Sequence, residues 1–258
     1  MFANYHTHTP LCNHATGSVR EYIEAAIKCG IEKLGFSDHA PFYFIGDYIS
    51  GCRMEMDKID LYFDTILALR EKYKDHIDIK IGFEIEYYPK FWDKALEKYR
   101  QYPLDYLILG NHFLGNESIE MLPISAPTSE EALLARYVDE CIAAMKTDRI
   151  TYLCHPDMIN FTGDEQTYVK HFTRLISEAK ALDIPLEINL LGKRAGRHYP
   201  RDLFWETAAK LGAKAIIGCD AHAPEHVGVK EEIENALRYA DKLGIEVLRD
   251  VKLKNPIF

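Results

Sequence analysis

Short apolar runs alternate with longer amphipathic stretches along the whole chain. The apolar runs, each bounded by turn or charged residues, predict strands at residues 2–5, 33–36, 77–83, 104–109, 150–153, 185–188 and 215–217. The stretches between them carry helical spacing. Residues 20–29 put Tyr22, Ile23, Ala26 and Ile27 on one face, and 57–73 put Leu61, Ile66, Leu67 and Leu69 close to one stripe. In 129–146 the stripe is Leu133, Leu134, Tyr137, Val138, Cys141 and Ile142, with Thr128 or Ser129 as the opening cap. Residues 163–182, 201–211 and 224–243 complete the helices, and Gly30, Gly212 and Gly244 stand where helices should stop.

Strand–helix alternation repeated about seven times argues for an α/β fold with a parallel sheet. No Gly-x-Gly-x-x-Gly loop follows the first strand, so a closed barrel is preferred to a dinucleotide-binding fold. With 258 residues, 47% of them hydrophobic, the chain suffices for one such barrel, expected as a single domain over 1–258. A barrel localises function, because its chemistry belongs at the C-terminal ends of the strands.

Composition narrows the picture further. No stretch reaches the roughly 18 apolar residues of a membrane helix, and no secretory signal is evident at the start, so a cytoplasmic location is expected. A net charge of -9 disfavours nucleic acid as a partner, whereas a small anion needs only a local positive centre, which bound ions supply. The cysteines Cys12, Cys29, Cys52, Cys141, Cys154 and Cys219 contain no Cys-x-x-Cys pair and read as reduced, buried thiols.

Six of the predicted strands end in His, Asp or Glu. The segments are His6-Thr7-His8, Ser37-Asp38-His39, Gly82-Phe83-Glu84, Gly110-Asn111-His112, Cys154-His155-Pro156-Asp157 and Asp220-Ala221-His222. A single histidine beside a strand is ordinarily a hydrogen-bonded bystander, but this many at one rim are not. Imidazole and carboxylate together suit Zn, Mn or Fe. His6 and His8, two apart on an extended segment, project to the same side and can grip one ion, and Asp220 and His222 repeat the spacing.

These segments, with His6-Thr7-His8-Thr9-Pro10-Leu11-Cys12-Asn13-His14 at the start, resemble the motifs of the polymerase and histidinol phosphatase (PHP) superfamily, over His6 to His222. The resemblance implies a distorted TIM-like (β/α)7 barrel, a stand-alone enzyme and two to three divalent ions. His6, His8, Glu84 and Asp220 would hold the first ion. Glu84 would bridge to a second, held also by His112 and His155, and His14, His39 and His222 would hold the third. Glu84, Asp220 and His222 are expected to be catalytic. Glu86 is the rival to Glu84 but is expected on the opposite face, and Asp38 is expected to accept from a ligand rather than be one. His76 and His171 are read as surface residues, and His198 and His226 as within reach of a substrate.

With the sixth strand, residues 187–200 form a compact basic loop on an acidic protein, similar to one in the histidinol-phosphate branch of the family. Arg197 or Arg194 would clamp a phosphate, with His198 beside them. The expected reaction is attack by hydroxide bridging two ions on a small phosphomonoester, L-histidinol phosphate. Asp157, His198 or a water on an ion would protonate the leaving alcohol. The substrate's amine and imidazole would meet Asp157, Glu117, Phe42 or Tyr43. The alternatives are a phosphoesterase of the same family acting on nucleotides or oligonucleotides, which would need a wider and more basic cleft, and a metal-binding module without turnover. Oligomeric state and metal identity stay open.

Overall fold

A computed structural model describes residues 3–257. Phe2, placed in the first predicted strand, lies outside the described residues. The elements in chain order are β1 (Ala3–Asn4), α1 (Val19–Lys28), β2 (Lys33–Phe36), α2 (Ile59–Tyr73), β3 (Asp78–Ile85), α3 (Pro89–Tyr99), β4 (Tyr106–Leu109), β5 (Phe113–Leu114), β6 (Leu122–Pro123), α4 (Glu131–Met145), β7 (Ile150–Leu153), α5 (Glu165–Ala181), β8 (Leu186–Asn189), α6 (Leu190–Arg194), α7 (Asp202–Lys210), β9 (Lys214–Gly218), α8 (Lys230–Leu243) and β10 (Glu246–Val247).

One parallel sheet runs β1-β2-β3-β4-β7-β8-β9-β10. It curls until its ends meet, giving a distorted TIM-like barrel. At the C-terminal rim the closure is direct: Thr7 bridges Ala221, and His8 N donates to Ala221 O at 3.0 Å. At the other end the short β10 wedges in, and Ala3 N donates to Arg249 O at 3.1 Å. This eighth strand has two residues and no apolar run, so the hydrophobic pattern does not announce it.

Local chemistry explains most boundaries. Ser18 and Glu21 form a reciprocal capping box that starts α1, whose buried face is Tyr22, Ile23 and Ala26. Asp164 caps α5 by accepting from Thr167 N. Gly244, at φ 75°, ends α8 in the left-handed conformation that a residue without Cβ adopts readily. Helix α4 begins at Glu131 with Glu130 in the cap position, one or two residues past the expected Ser129 or Thr128, and Thr128 accepts instead from Glu130 N.

Besides β10, three further features escape the sequence pattern. Helix α3 opens on Pro89 and buries Phe91, Trp92, Ala95, Leu96 and Tyr99 at helical spacing. The hairpin β5–β6 is too short to show alternation. The basic segment after β8 is not an open loop but begins as α6, capped by Asn189, whose side chain accepts from Gly192 N at 2.9 Å. The six cysteines are free, as expected, but Cys29 is exposed and Cys52 half-buried. No described helix is long and apolar enough to cross a membrane.

Candidate metal and phosphate site

The C-terminal rim gathers the predicted ligands. His6, His8, His39, Glu84, His155 and Asp220 are buried, His112 and His222 are half-buried, and His14 is exposed. Two of them sit at positive φ, His155 at 27° and Asp220 at 45°, where residues other than glycine are uncommon. Each stands just past a strand end, where the chain turns its side chain back over the barrel mouth.

The ring atoms converge. His6 Nε2 lies 3.5 Å from both Glu84 Oε2 and Asp220 Oδ1, and His8 Nε2 lies 3.5 Å and 3.3 Å from the same oxygens. Glu84 Oε2 also faces His39 Nδ1 at 3.1 Å, while Oε1 faces His155 Nε2 at 2.8 Å and His112 Nε2 at 3.5 Å. Glu84 therefore stands between two groups of histidines. His14, His39 and His222 form a third group, with the Nε2 atoms of His14 and His222 2.9 Å apart.

The strands are built to allow this. A Cβ on Gly110 would lie 1.9 Å from Glu84 Oε1, and one on Gly218 would lie 1.7 Å from Glu187 Oε1. Each glycine thus leaves the volume that a carboxylate from the neighbouring strand fills.

Behind the ring stand carboxylates that aim it. Glu187 accepts from His6 Nδ1 at 2.7 Å and from His155 N at 3.0 Å. Asp38 faces His8 Nδ1 at 3.4 Å and accepts from Thr9 N and from its hydroxyl, so it supports a histidine, as expected. Glu86 accepts from His112 Nδ1 at 3.1 Å and from His112 N at 3.0 Å. The expected placement of Glu86 on the opposite face is wrong: two positions along an extended strand return to the same side. Glu86 shares the side of Glu84 but reaches His112 from behind. Each of these carboxylates fixes one ring nitrogen and leaves the other pointing inward.

Electrostatics show what the ring lacks. Burial lowers the His6 and His8 pKa values, but for His6 the nearby Asp220 and Glu187, and for His8 the nearby Asp220 and Asp38 carboxylates, more than reverse it and hold them well above the ordinary value. Burial raises Glu84 and Asp220, but the histidines, led by His112 for Glu84 and by His6 for Asp220, hold them well below the usual carboxylate range. Burial keeps His39 well below its ordinary value. His6 and His8 Nε2, His39 Nδ1, Glu84 Oε2 and Asp220 Oδ1 are buried without a hydrogen-bond partner. Seven carboxyl groups are buried among the described residues, on Asp38, Glu84, Glu86, Glu117, Asp157, Glu187 and Asp220, against one buried guanidinium, on Arg53, which pairs only with Glu86 and Glu117. Such a surplus is costly unless cations offset it. The donor set and its partnerless atoms fit divalent ions.

Over the ring opens a pocket of about 410 Å³, walled by His14, His39, His112, Phe113, Pro123, Ser125, Met158, Leu191, Arg197 and Tyr199. Arg197 is the one Arg or Lys among the described residues that line it, and its Nη1 donates to Tyr199 Oη at 2.8 Å. Arg194 turns away and pairs with Glu232 at 2.5 Å, because α6 carries it toward α8. His198 donates to Met158 O at 2.6 Å and does not line the pocket, nor does His226. Asp157 accepts from Arg201 N at 2.5 Å and is likewise outside it, although burial pushes its carboxyl up to about 7. Glu117 is bound to Arg53, Phe42 is buried, and Tyr43 lies under Lys94, so none of the expected partners for a substrate amine lines the pocket. His76 is on the surface, whereas His171 is buried in α5 beside Glu131.

The sequence pattern of the PHP domain matches residues 4–190, which is most of the chain and includes seven of the nine proposed ligands, His6 through His155. The chain belongs to the PHP-domain family. A protein of Deinococcus radiodurans named a probable histidinol-phosphatase is 29% identical to this PHP protein, covering 95% of this chain and 92% of that one. The histidinol-phosphatase of Bacillus subtilis is 27% identical, covering 88% and 96%. Among solved structures, the histidinol phosphate phosphatase of Lactococcus lactis, in complex with zinc, L-histidinol and phosphate, superposes with a TM-score of 0.74 at 20% identity, covering 97% and 98%. That structure has the same fold as this PHP protein.

Sequence reasoning passed over Glu187 and Asn189, which hold His6 and, through Asn189 Nδ2 at 3.0 Å, Asp220. Their signal was present, as two polar residues alternating within the otherwise apolar Leu186–Asn189. The apolar pocket wall of Phe113, Pro123 and Leu191 left no such signal, because it comes from the elements that the pattern missed.

Proposed function

We propose that this PHP protein is a metal-dependent phosphomonoesterase that hydrolyses L-histidinol phosphate to L-histidinol and phosphate. The observation that carries the reading is the ring of buried, partnerless imidazole and carboxylate atoms beneath a pocket with a single guanidinium. The name of the substrate rests on the histidinol-phosphatases that align with nearly the whole chain.

In this reading His6, His8, Glu84 and Asp220 hold one divalent ion. Glu84, His112 and His155 hold a second, and His14, His39 and His222 a third. Zinc, manganese and iron all suit these donors. Bound ions supply Lewis acidity toward phosphate oxygens and lower the pKa of water. Glu187, Asp38 and Glu86 keep the rings of His6, His8 and His112 oriented, so no reorganisation accompanies the reaction. Arg197 offers paired donors to the phosphate, with Tyr199 orienting its fork. Burial raises the Tyr199 pKa, so the phenol keeps its proton and acts as a neutral partner. The pocket volume and its lone Arg suit one phosphate on a small alcohol rather than a polyanion. In the overall reaction, water adds to phosphorus, the phosphorus–oxygen bond to the alcohol breaks, and the alcohol leaves with a proton.

The test is phosphate release from L-histidinol phosphate before and after chelation, with elemental analysis of the protein in both states. The reading expects activity to disappear with the ions and return when a divalent transition metal is restored. Full activity in metal-free protein contradicts it.

A further inference from the structure

We propose that Arg53 is a positioning residue of the metal site. Through Glu86 it sets the ring of His112, and through its backbone carbonyl it holds the loop that carries His14. The inference rests on the metal-ligand reading above.

Arg53 lies in the long segment between β2 and α2, far from any ligand in sequence. It is the one buried Arg or Lys among the described residues, at 1% exposure. Every face of its guanidinium is used. Nε donates to both Glu117 oxygens at 3.1 and 3.0 Å, Nη2 donates to Glu117 and, at 2.9 Å, to Glu86 Oε1, and Nη1 donates to Ala40 O at 3.1 Å. Tyr88 adds a hydroxyl to Glu117 at 3.1 Å. The fork thus stitches together the segment after β2, the end of β3 and the hairpin region after β4.

A simple fold staple would end there, but Glu86 does not. Its Oε1 lies between Arg53 Nη2 and His112 Nδ1, while its Oε2 takes the backbone N–H groups of His112 and Phe113 at 3.0 and 3.3 Å. The guanidinium therefore fixes the rotation of the carboxylate that fixes the imidazole. On the other side, Arg53 O accepts from Asn13 Nδ2 at 3.1 Å. Asn13, at φ 71°, is the turn residue directly before His14. His14 and His112 are among the more exposed candidate ligands, and both are tied to this one residue.

Lysine cannot replace this fork. It keeps the charge but offers a point donor that cannot serve Glu117, Glu86 and Ala40 O in one plane. The experiment is a Co²⁺ titration of metal-free parent, Arg53→Lys and His112→Ala proteins, followed by visible absorption, with kcat and KM measured on the reloaded enzymes. The expected result is a folded Arg53→Lys protein in which one binding step, the one that His112→Ala removes, weakens by at least about tenfold. Its Co²⁺ spectrum changes, and kcat falls more than KM rises. If Arg53→Lys does not fold, Glu117→Gln loosens the same fork and is expected to weaken the same step. Parent-like Co²⁺ isotherms and spectra, with only thermal stability reduced, make Arg53 a fold staple and overturn the inference alone. A parent protein that binds no Co²⁺ removes the metal reading together with it.

Discussion

The lower and upper halves of the barrel interior are built from the same strands with opposite chemistry. Below, Ala3, Tyr5, Tyr106, Ile108, Tyr152, Cys154 and Ile216 fill the space with rings and aliphatic groups. Tyr5 and Tyr106 meet edge to face at 5.4 Å, and the Tyr106 hydroxyl is satisfied by Tyr5 O at 2.8 Å. A Cβ on Gly82 would lie 2.5 Å from the Tyr106 ring. Above, the side chains are as buried but are imidazoles and carboxylates whose inward atoms have no partner. Close packing on glycine occurs at both levels. What differs is charge: the lower level leaves one neutral hydroxyl, that of Tyr152, without a partner, while the upper gathers partnerless atoms of imidazoles and carboxylates and is complete only with added positive charge. Substitutions below should therefore cost stability, and substitutions above should cost activity.

The largest effect should come from Glu84→Gln. An amide is a much poorer ligand between two groups of histidines, so kcat should fall at least about a hundredfold. The circular dichroism of the metal-free protein should not change. Near-normal kcat with unchanged metal content would show that Glu84 does not join the two groups.

Next, Arg197→Ala should cost roughly 2–3 kcal/mol in kcat/KM, the scale of a charge-assisted hydrogen bond, while leaving metal content unchanged. Unaltered kcat/KM on steady-state assay would remove Arg197 from substrate binding.

Tyr106→Phe probes the lower level. It deletes one satisfied hydroxyl and should lower unfolding free energy by about 0.5–1.5 kcal/mol by denaturant titration. Activity of the folded fraction should be retained, and a large loss of kcat would break the division between the two levels. The smallest effect is expected for Arg194→Ala. Its guanidinium is committed to Glu232 outside the pocket, so kcat/KM should stay within about twofold of the parent. A loss as large as that of Arg197→Ala would restore Arg194 as a clamp.

The upper level was far more legible in the sequence than the lower. Metal ligands must be His, Asp or Glu, and strand ends must deliver them, so residue type and position together mark His6, His8, His39, Glu84, His112, His155, Asp220 and His222. The lower level uses residues found in any core, and nothing in Tyr5, Tyr106 or Tyr152 says which faces inward. Supporting residues fall between these cases. Glu187 was visible in principle as an acid in an apolar strand, but Arg53 lies in a segment with no periodicity and meets Glu86 and Glu117 only through the fold. The two arginines of the segment after β8 also look equivalent in sequence. Only α6, which turns Arg194 toward α8 and leaves Arg197 at the pocket, separates them.

The most direct test of the account is a steady-state comparison of phosphate release by the metal-loaded protein from L-histidinol phosphate, nucleoside monophosphates and an aryl phosphate. A pocket with one guanidinium over the metal ring predicts that kcat/KM for L-histidinol phosphate exceeds the others by at least about tenfold, ~1.4 kcal/mol of transition-state discrimination. Equal or greater kcat/KM for a nucleotide would contradict the assignment and leave a phosphoesterase with a different substrate.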